Sequence, residues 1–236
     1  MNKLKKFYFC LKNLRFYKAY LNGVSPLFEL IELVKKMNKA NTLIDVGSNK
    51  GQFSLLVRKY FPDIKIYSFE PQLNELNIQK KILGKKNINY YNLALGSEEK
   101  ISNFYITKRK DSSSILKPNQ QNNINKIYDT NEILEINVKK LDSIISTVEI
   151  SRPSILKLDV QGYELEVLKG ASNILKYIDY IVTEVSFVEI YSNQVTNKDL
   201  TNFMISNEFK LKGKCNLSKL NNKFFQEDVL FAKDLI

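Results

Sequence analysis

Short apolar segments that alternate with helical segments are the feature that most constrains the fold of this 236-residue chain. The segments "TLIDV" (42–46), "IKIYSFE" (64–70) and "ILKLDV" (155–160) have the length of buried strands, and a helical pattern follows each of them. Helical connections between successive strands are typical of parallel βαβ units. We therefore predict an α/β fold with an open, doubly wound, Rossmann-like sheet of about seven strands.

The same pattern continues to the end of the chain. Further strands are predicted at 88–95 and 180–187, and the last pair, "FKLKGK" (209–214) and "DVLFAKD" (228–234), is predicted to be antiparallel. The predicted helices are 51–60, 71–83, 141–148, 163–176 and 197–207. Residues 101–138 interrupt the alternation with two strands around a polar stretch, and we predict that 108–130 is a mobile loop on the acceptor side of the site.

The charge of the chain is concentrated near its start. The net charge is +11, and residues 1–39 contain nine lysines and arginines against two glutamates. We predict a basic helical segment over 1–40, followed by one domain over 41–236. The segment either packs on the domain with a solvated basic face or contacts an anionic membrane surface or an acidic polymer. Cys10 and Cys215 match no disulfide or metal spacing, and together with the lack of a signal or spanning segment they indicate a cytoplasmic protein, peripheral to the inner membrane face in the second case.

A glycine turn follows the first strand in "IDVGSNKGQF" (44–53). The pattern Gly47-x-x-x-Gly51 lacks the third glycine of the dinucleotide fingerprint, so a nucleotide-binding oxidoreductase is the weaker reading. Asp45 and Asn49 offer acceptors to a cationic ligand end, and Glu70 follows at the spacing of a carboxylate that binds ribose hydroxyls. A ligand with a ribose, an adenine, a positive centre and no phosphate is S-adenosylmethionine. The glycines would let its methionine part lie against bare backbone.

Acids or amides stand where each predicted strand ends, and these ends share one edge of the sheet. We predict that the cofactor contacts Asp45, Gly47, Asn49, Gly51, Glu70, Asn92, Ala94 and Asp159. The chain has no histidine, so a general base must come from another residue type or from a metal-bound species. The predicted catalytic residues are Asp159, Glu164 and Glu184.

Several segments in order resemble the signature segments of the FkbM family of S-adenosylmethionine-dependent methyltransferases. They are "LIDVGSNKGQFS", "FEPQLNEL", "NLALGS", "LKLDVQGYELEVLKGA", "IVTEVSFVEIYSNQ" and "FQEDVLFAK". The resemblance implies a class I methyltransferase fold and transfer to a hydroxyl oxygen, often on a sugar of a glycan, glycolipid or natural product. Gln161 stands where many members have Glu, so no acidic role is carried over to that position. Residues 1–40 lie outside the resemblance.

The acids at the rim leave two mechanisms open. Asp159 is either a direct base, positioned by Glu164 and Glu184, or one of the ligands of a hard cation such as Mg²⁺. Glu164 has a structural alternative at the start of helix 163–176, and Lys157 either neutralises the acids or lowers the acceptor's pKa. The acceptor itself is either a sugar hydroxyl or, as the alternative, a non-sugar small molecule or nucleic acid. "DVQGYE" lacks the motif that grips an extruded base amine, so DNA is not expected as a partner.

Overall fold

The computed structural model describes residues 13–119, 128–220 and 223–234. Its strands are β1 (Thr42–Val46), β2 (Lys65–Phe69), β3 (Ile88–Tyr91), β4 (Ala94–Leu95), β5 (Lys100–Thr107), β6 (Thr130–Lys139), β7 (Ser154–Leu158), β8 (Tyr180–Ser186), β9 (Lys210–Cys215), β10 (Lys219–Leu220), β11 (Lys223–Phe224) and β12 (Gln226–Ala232). Its α-helices are α1 (Leu14–Leu21), α2 (Ile31–Lys35), α3 (Gln52–Tyr60), α4 (Leu73–Leu83), α5 (Leu141–Ile144), α6 (Glu164–Lys169) and α7 (Asn197–Ser206).

The central sheet has seven strands in the order β3-β2-β1-β7-β8-β12-β9. The first five strands in this order, β3, β2, β1, β7 and β8, pair in parallel. Strand β12 pairs antiparallel with both β8 and β9. The order reverses beside β1, where one half of the sheet continues to β2 and the other to β7. The predicted Rossmann-like doubly wound sheet with an antiparallel last pair is therefore confirmed.

Both faces of the sheet are covered, as the alternation of side chains along each strand requires. In β1, Leu43 belongs to the core on one face, and Ile44 and Val46 belong to the core on the other. By the same alternation Asp45 shares the face of Leu43, and it stands directly opposite Lys157 of β7. Two charged side chains are thus buried side by side in the middle of an apolar sheet.

The predicted strand 88–95 is wrong as one element, because its end leaves the central sheet. It splits into β3 and β4, and β4 pairs in parallel with β6 in a three-stranded sheet of order β4-β6-β5. The strands β5 and β6 form the long antiparallel pair that flanks the polar stretch. The chain therefore changes sheets at Asn92 and Leu93, close to the edge where the predicted site lies.

The predicted helix 163–176 ends early, at Lys169, and a separate 3₁₀ turn covers Ile174–Tyr177. The break follows from close packing at Gly170, where a Cβ would lie 1.9 Å from the backbone oxygen of Gly96. The two backbones meet there, which sequence periodicity does not show.

The N-terminal segment packs on the face of the sheet that carries α3 and α4. A Schellman motif ends α1: Gly23 has φ +72°, its N–H donates to the oxygen of Tyr20, and the N–H of Val24 donates to the oxygen of Ala19. Ala19 and Val24 lie in one buried cluster with Phe16. Residues 1–12 of the predicted basic segment lie outside the described residues, and the division of the chain at residue 40 stays a prediction. Among the described residues, no helix is both long and apolar enough to cross a membrane.

Candidate active site

A cleft of about 530 Å³ lies at the carboxyl ends of β1, β2, β7 and β8, where an open α/β sheet places its ligands. Most of the predicted site residues line it: Asp45, Gly47, Asn49, Glu70, Ala94, Asp159 and Glu184. Gly51, Asn92 and Glu164 are not among the lining residues. The edge predicted from the strand ends is therefore the edge that contains the cleft.

The glycine turn is shaped by contacts within the protein. Gly47 has φ +72°, and a Cβ there would lie 2.0 Å from the backbone oxygen of Asp159. Gly51 has φ +81°, and its Cβ would lie 2.6 Å from Cγ of Gln79. The sequence predicts that these glycines let a ligand lie on bare backbone. The structure shows a second reason, because the end of β7 and helix α4 leave no room for a Cβ at these positions. The glycine turn therefore packs against both the end of β7 and helix α4.

Glu70 is a buried carboxylate tied to the glycine turn. Its Oε2 accepts the N–H of Asn49 at 2.8 Å, and its Oε1 accepts the N–H of Gln72 at 2.8 Å. Asn49 adopts φ +48°, which turns its N–H toward the carboxylate. Burial raises the pKa of Glu70 to about 7, although the two backbone N–H groups pull it down. Each oxygen keeps a lone pair for a ligand hydroxyl.

Asn92 lies outside the lining of the cleft and supports the backbone that follows β2. Its Nδ2 donates to the backbone oxygens of Glu70 at 3.0 Å and Pro71 at 2.9 Å. Its neighbours Leu93 and Ala94 line the cleft and give this end an apolar wall. The strand end predicted to contact the cofactor therefore presents its apolar residues to the cleft, and its amide holds the backbone after β2.

Asp45 is a buried acid that lines the cleft. It is 1% exposed, and its Oδ2 accepts the hydroxyl of Ser54 at 2.6 Å. Burial raises the pKa of Asp45 to about 6 despite this hydrogen bond. The charge of Lys157 also opposes this rise.

Asp159 and Glu184 come together at the other end of the cleft. Asp159 is about a third exposed, and its Oδ2 lies 3.3 Å from Nζ of Lys157. Glu184 is partly buried, and its Oε2 accepts an N–H from the side chain of Gln226. Nε2 of Gln161 donates to both carboxylates, at 2.9 Å to Asp159 and 3.3 Å to Glu184. Burial raises the pKa of Glu184 well above its ordinary value, and the charge of Asp159 raises it further.

Lys157 is fully buried beneath these acids. Its Nζ donates to the backbone oxygen of Leu158 at 3.1 Å and lies 6.0 Å from the ring centroid of Phe53. Burial lowers the pKa of Lys157, but Asp159 and the other carboxylates around it outweigh that effect, so the pKa stays above its ordinary value. The ammonium group is thus charged and partly neutralises the acids.

Glu164 lies behind the cleft, at the first position of α6. It is 3% exposed, and its Oε1 accepts the N–H of Gly162 at 3.1 Å. Burial raises the pKa of Glu164 to about 7. It lines a separate small cavity with Tyr191 and Gln194. The hydrogen bond to Gly162 is typical of an acid that stabilises the start of a helix, which is the structural alternative for Glu164.

Several polar residues of the cleft were not predicted from the sequence, among them Asn216, Gln226 and Asp228. Asp228 stands opposite Glu184 in the pairing of β8 with β12, and Asn216 donates to its Oδ2 at 2.9 Å. Because β12 is antiparallel, its start lies at the edge where the parallel strands end. The signal was present in "QEDV", where Gln226 and Asp228 occupy alternate positions at the start of an apolar strand.

The predicted mobile loop contributes to the cleft wall. Its described part includes a 3₁₀ turn at Lys110–Ser112, and Ser114 is fully buried with its hydroxyl donating to the oxygen of Gln161 at 2.8 Å. Arg109 lines the cleft and pairs with Asp111 at 2.8 Å. Residues 120–127 lie outside the described residues, so the mobility of 108–130 stays a prediction.

The acids of the cleft do not form a metal site in the described part of the chain. Over 13–119, 128–220 and 223–234, no group of three or more His, Cys, Asp or Glu side chains is arranged to hold an ion. Amides and Lys157 separate Asp159 from the other carboxylates. The structure therefore offers no geometric support for the Mg²⁺ alternative.

Comparisons with known proteins match most of the chain to one family model. A family model described as the methyltransferase FkbM domain matches residues 45–211. Hexuronic acid methyltransferase AglP of Haloferax volcanii is 36% identical over 80 residues, which cover 34% of this chain and 29% of that protein. Methyltransferase 1 of Beauveria bassiana is 25% identical over 143 residues, which cover 54% of this chain and 57% of that protein. The matches thus span less than two thirds of either relative.

Solved structures show weak overall similarity. Magnesium protoporphyrin IX methyltransferase of Synechocystis PCC 6803 with bound SAM has a TM-score of 0.48 at 8% identity, over 96% of this chain and 84% of that one. An S-adenosylmethionine-dependent methyltransferase from Listeria monocytogenes, described as putative, has a TM-score of 0.47 at 8% identity, over 86% of this chain and 97% of that one.

Proposed function

The chain belongs to the FkbM methyltransferase family, and from this premise we propose that it transfers a methyl group from S-adenosylmethionine to a hydroxyl oxygen of a sugar, in a glycan, glycolipid or related metabolite. The observation that carries the proposal is the carboxylate of Glu70, which is buried in the cleft wall beside the glycine turn. Its oxygens accept one backbone N–H each and retain lone pairs for the two hydroxyls of a ribose.

The other residues around Glu70 fit the remainder of the cofactor. Phe69, Leu93 and Ala94 form an apolar wall that suits an adenine ring, and the turn before α3 has two glycines where a pyrophosphate-binding turn has three. Asp45 and Asp159, farther along the cleft, suit a positive ligand end. When bound, S-adenosylmethionine supplies an electrophilic methyl group on a sulfonium, whose carbon–sulfur bond breaks with its electron pair going to sulfur.

Asp159 is the group that we assign to proton removal. Its carboxylate is partly exposed to the cleft, and Lys157 and Gln161 fix its two oxygens. It accepts the proton of the acceptor hydroxyl as the oxygen lone pair forms the new carbon–oxygen bond, so the products are the methyl ether, S-adenosylhomocysteine and one proton on the carboxylate. The remaining contribution is alignment of the acceptor and exclusion of water, which supply roughly 7–11 kcal/mol in well-oriented systems.

The acceptor end of the cleft supports a polyhydroxyl substrate. Glu184 and Asp228 provide hydrogen-bond acceptors, and the amides of Asn216 and Gln226 provide donors beside them. Sugar hydroxyls use both kinds of partner. The relative named as a hexuronic acid methyltransferase also supports a sugar acceptor.

Calorimetry and mass spectrometry test the proposal together. The protein should bind S-adenosylhomocysteine, and NAD should bind far more weakly, because the turn lacks a pyrophosphate cradle. Host glycans compared with and without the protein should differ by one methyl group, and Asp159→Asn should lower turnover by a factor on the order of 10²–10⁴ while the variant still binds S-adenosylhomocysteine. Binding of NAD but not of S-adenosylhomocysteine would refute the proposal. Full turnover by Asp159→Asn would refute the assignment of the base.

A further inference from the structure

Gln161 occupies an unusual position in the turn between β7 and α6. It is 9% exposed and has φ +55°, a left-handed conformation that non-glycine residues rarely adopt. Such a conformation costs on the order of 1–3 kcal/mol and persists where the surrounding structure requires it. Here it places a polar side chain between two carboxylates, where an apolar residue would leave both with one donor fewer.

The hydrogen bonds of Gln161 determine the orientation of its amide. Carboxylates only accept hydrogen bonds when they are ionised, so the group within 2.9 Å of Asp159 and 3.3 Å of Glu184 must be the NH₂. Its Oε1 lies 3.0 Å from the hydroxyl of Tyr191, which is fully buried and shares its one proton between Gln161 and the backbone oxygen of Ser112. Both ends of the amide therefore have partners, and one nitrogen serves two acids.

We propose that Gln161 is a positioning residue, which holds Asp159 and Glu184 side by side by donating one hydrogen to each, without adding charge of its own. The inference rests on the proposed function for its catalytic meaning, because Asp159 is the group assigned to proton removal. Two carboxylates at one site repel each other, and one of them takes up a proton unless donors or cations favour the charged forms. An amide supplies one hydrogen to each, whereas a glutamate at this position would add a third negative charge.

Other charged and titratable groups face the pair from every neighbouring element, so their influence has to stay constant in a test. They are Asp45 of β1, Lys157 of β7, Glu164 of α6, Asp228 of β12 and, outside these elements, Arg109, Tyr128 and Tyr191. Of the two acids, Asp159 is the one that lies within ion-pair distance of Lys157. Glu184 therefore depends on amide donors, from Gln161 and Gln226, and its titration is the sharper readout.

The test follows the side-chain carboxyl carbons by NMR across pH in the full chain with bound S-adenosylhomocysteine, with Glu184→Gln and Asp159→Asn used to assign the two signals. In Gln161→Met the titration midpoint of Glu184 should rise by about 1 pH unit or more, because a donor to its charged form is lost. In Gln161→Glu the rise should be larger. Gln79→Met is the matched control: it removes another buried amide, which contacts two serine hydroxyls and no carboxylate, and should leave the midpoint unchanged.

The two variants of Gln161 cover each other if one of them does not fold. An unchanged Glu184 midpoint in a folded variant overturns the proposal, and so does an equal rise in Gln79→Met, which would indicate a general loss of packing. Calorimetry on the same samples separates the two levels of inference. If wild-type protein does not bind S-adenosylhomocysteine, the proposed function fails, and the titration, repeated without the nucleoside, still decides the role of Gln161.

Discussion

Two opposing effects act on the pKa of Glu70. Burial favours its neutral form, and the hydroxyls of a bound ribose would favour its charged form. Its pKa of about 7 lies well above the ordinary value for a glutamate. Hydroxyl donors bind the ionised carboxylate better, so binding releases a proton wherever the free protein still holds one. Affinity should therefore rise as pH increases through 7 and level off above it.

We expect the Kd of S-adenosylhomocysteine, measured by calorimetry, to fall by up to about tenfold between pH 6 and pH 8. Glu70→Gln should bind more weakly, by roughly 1.5–3 kcal/mol at pH 8, and should lose this pH dependence. Asp45 also lines the cleft and has a raised pKa, of about 6, so Asp45→Asn serves as the control and should keep the dependence near pH 7. A flat profile in wild-type protein would place the ribose elsewhere.

Glu164 provides a second residue whose pH response separates structure from catalysis. Its pKa of about 7 means that the folded protein binds a proton more tightly than the unfolded chain does. The stabilisation from this group is complete below the ordinary glutamate pKa and is lost as pH rises through 7. A neutral side chain that still accepts the N–H of Gly162 avoids that loss.

Glu164→Gln should therefore increase the free energy of unfolding at pH 8 by roughly 1–3 kcal/mol relative to wild type, with little gain at pH 4.5. Urea unfolding at the two pH values measures this difference. Turnover that falls along with the gain in stability would return Glu164 to the catalytic group. Unchanged turnover would assign it to the start of α6.

At the scale of elements, the position of the cleft could be predicted from the strand ends. Parallel strands bring their carboxyl ends to one edge of the sheet, whatever the lengths of the helices between them. Asp45, Glu70 and Asp159 could be placed at one cleft for this reason. The amides of Gln161 and Gln226 could not be assigned as their partners, because side-chain contacts across strands depend on register and on the direction of β12. Helix boundaries set by backbone contact, as at Gly170, were equally invisible to periodicity.

The turn between β1 and α3 gives a prediction at this scale. A methyl group at Gly47 would meet the backbone oxygen of Asp159, and neither strand end can move without disturbing the cleft. Gly23 has the same φ of +72°, but a Cβ there meets nothing within 4 Å. We expect Gly47→Ala to lower the free energy of unfolding by roughly 2–4 kcal/mol and to weaken cofactor binding, and Gly23→Ala to cost about 1 kcal/mol with binding unchanged. Equal losses in the two variants would show that φ alone decides.

At the scale of the whole molecule, the cleft is closed by parts of the chain outside the matched family region 45–211. Ser25, Leu27 and Glu29 line it from the N-terminal side, and Asn216 and Asp228 line it from the C-terminal side. The proposed cofactor half thus comes from residues within the family match, and part of the proposed acceptor wall comes from outside it. This explains why the family assignment and the cofactor are better determined by sequence than the acceptor is.

The N-terminal segment has a second surface, which faces away from the protein. Phe16 and Ala19 of α1 pack inward, against the cluster that contains Leu55 of α3. The exposed side of α1 carries both basic and apolar residues: Arg15, Tyr17, Lys18, Tyr20 and Leu21. Leu21 is 67% exposed. A surface that combines cations with aromatic and aliphatic side chains matches the interface of an anionic membrane, where a glycolipid acceptor would be found.

We expect the protein to float with vesicles that contain phosphatidylserine and not with pure phosphatidylcholine vesicles, and we expect salt to weaken this binding. Each cation near an anionic surface contributes about 1 kcal/mol, so Arg15→Glu with Lys18→Glu should reduce binding by at least about 30-fold. Lys176→Glu with Lys198→Glu makes the same change in net charge on exposed residues beside the core of the opposite sheet face, and should have a much smaller effect. An equal loss in both double variants would mean that net charge, and not α1, mediates the contact. Flotation that persists in Arg15→Glu with Lys18→Glu would show that α1 only packs on the domain.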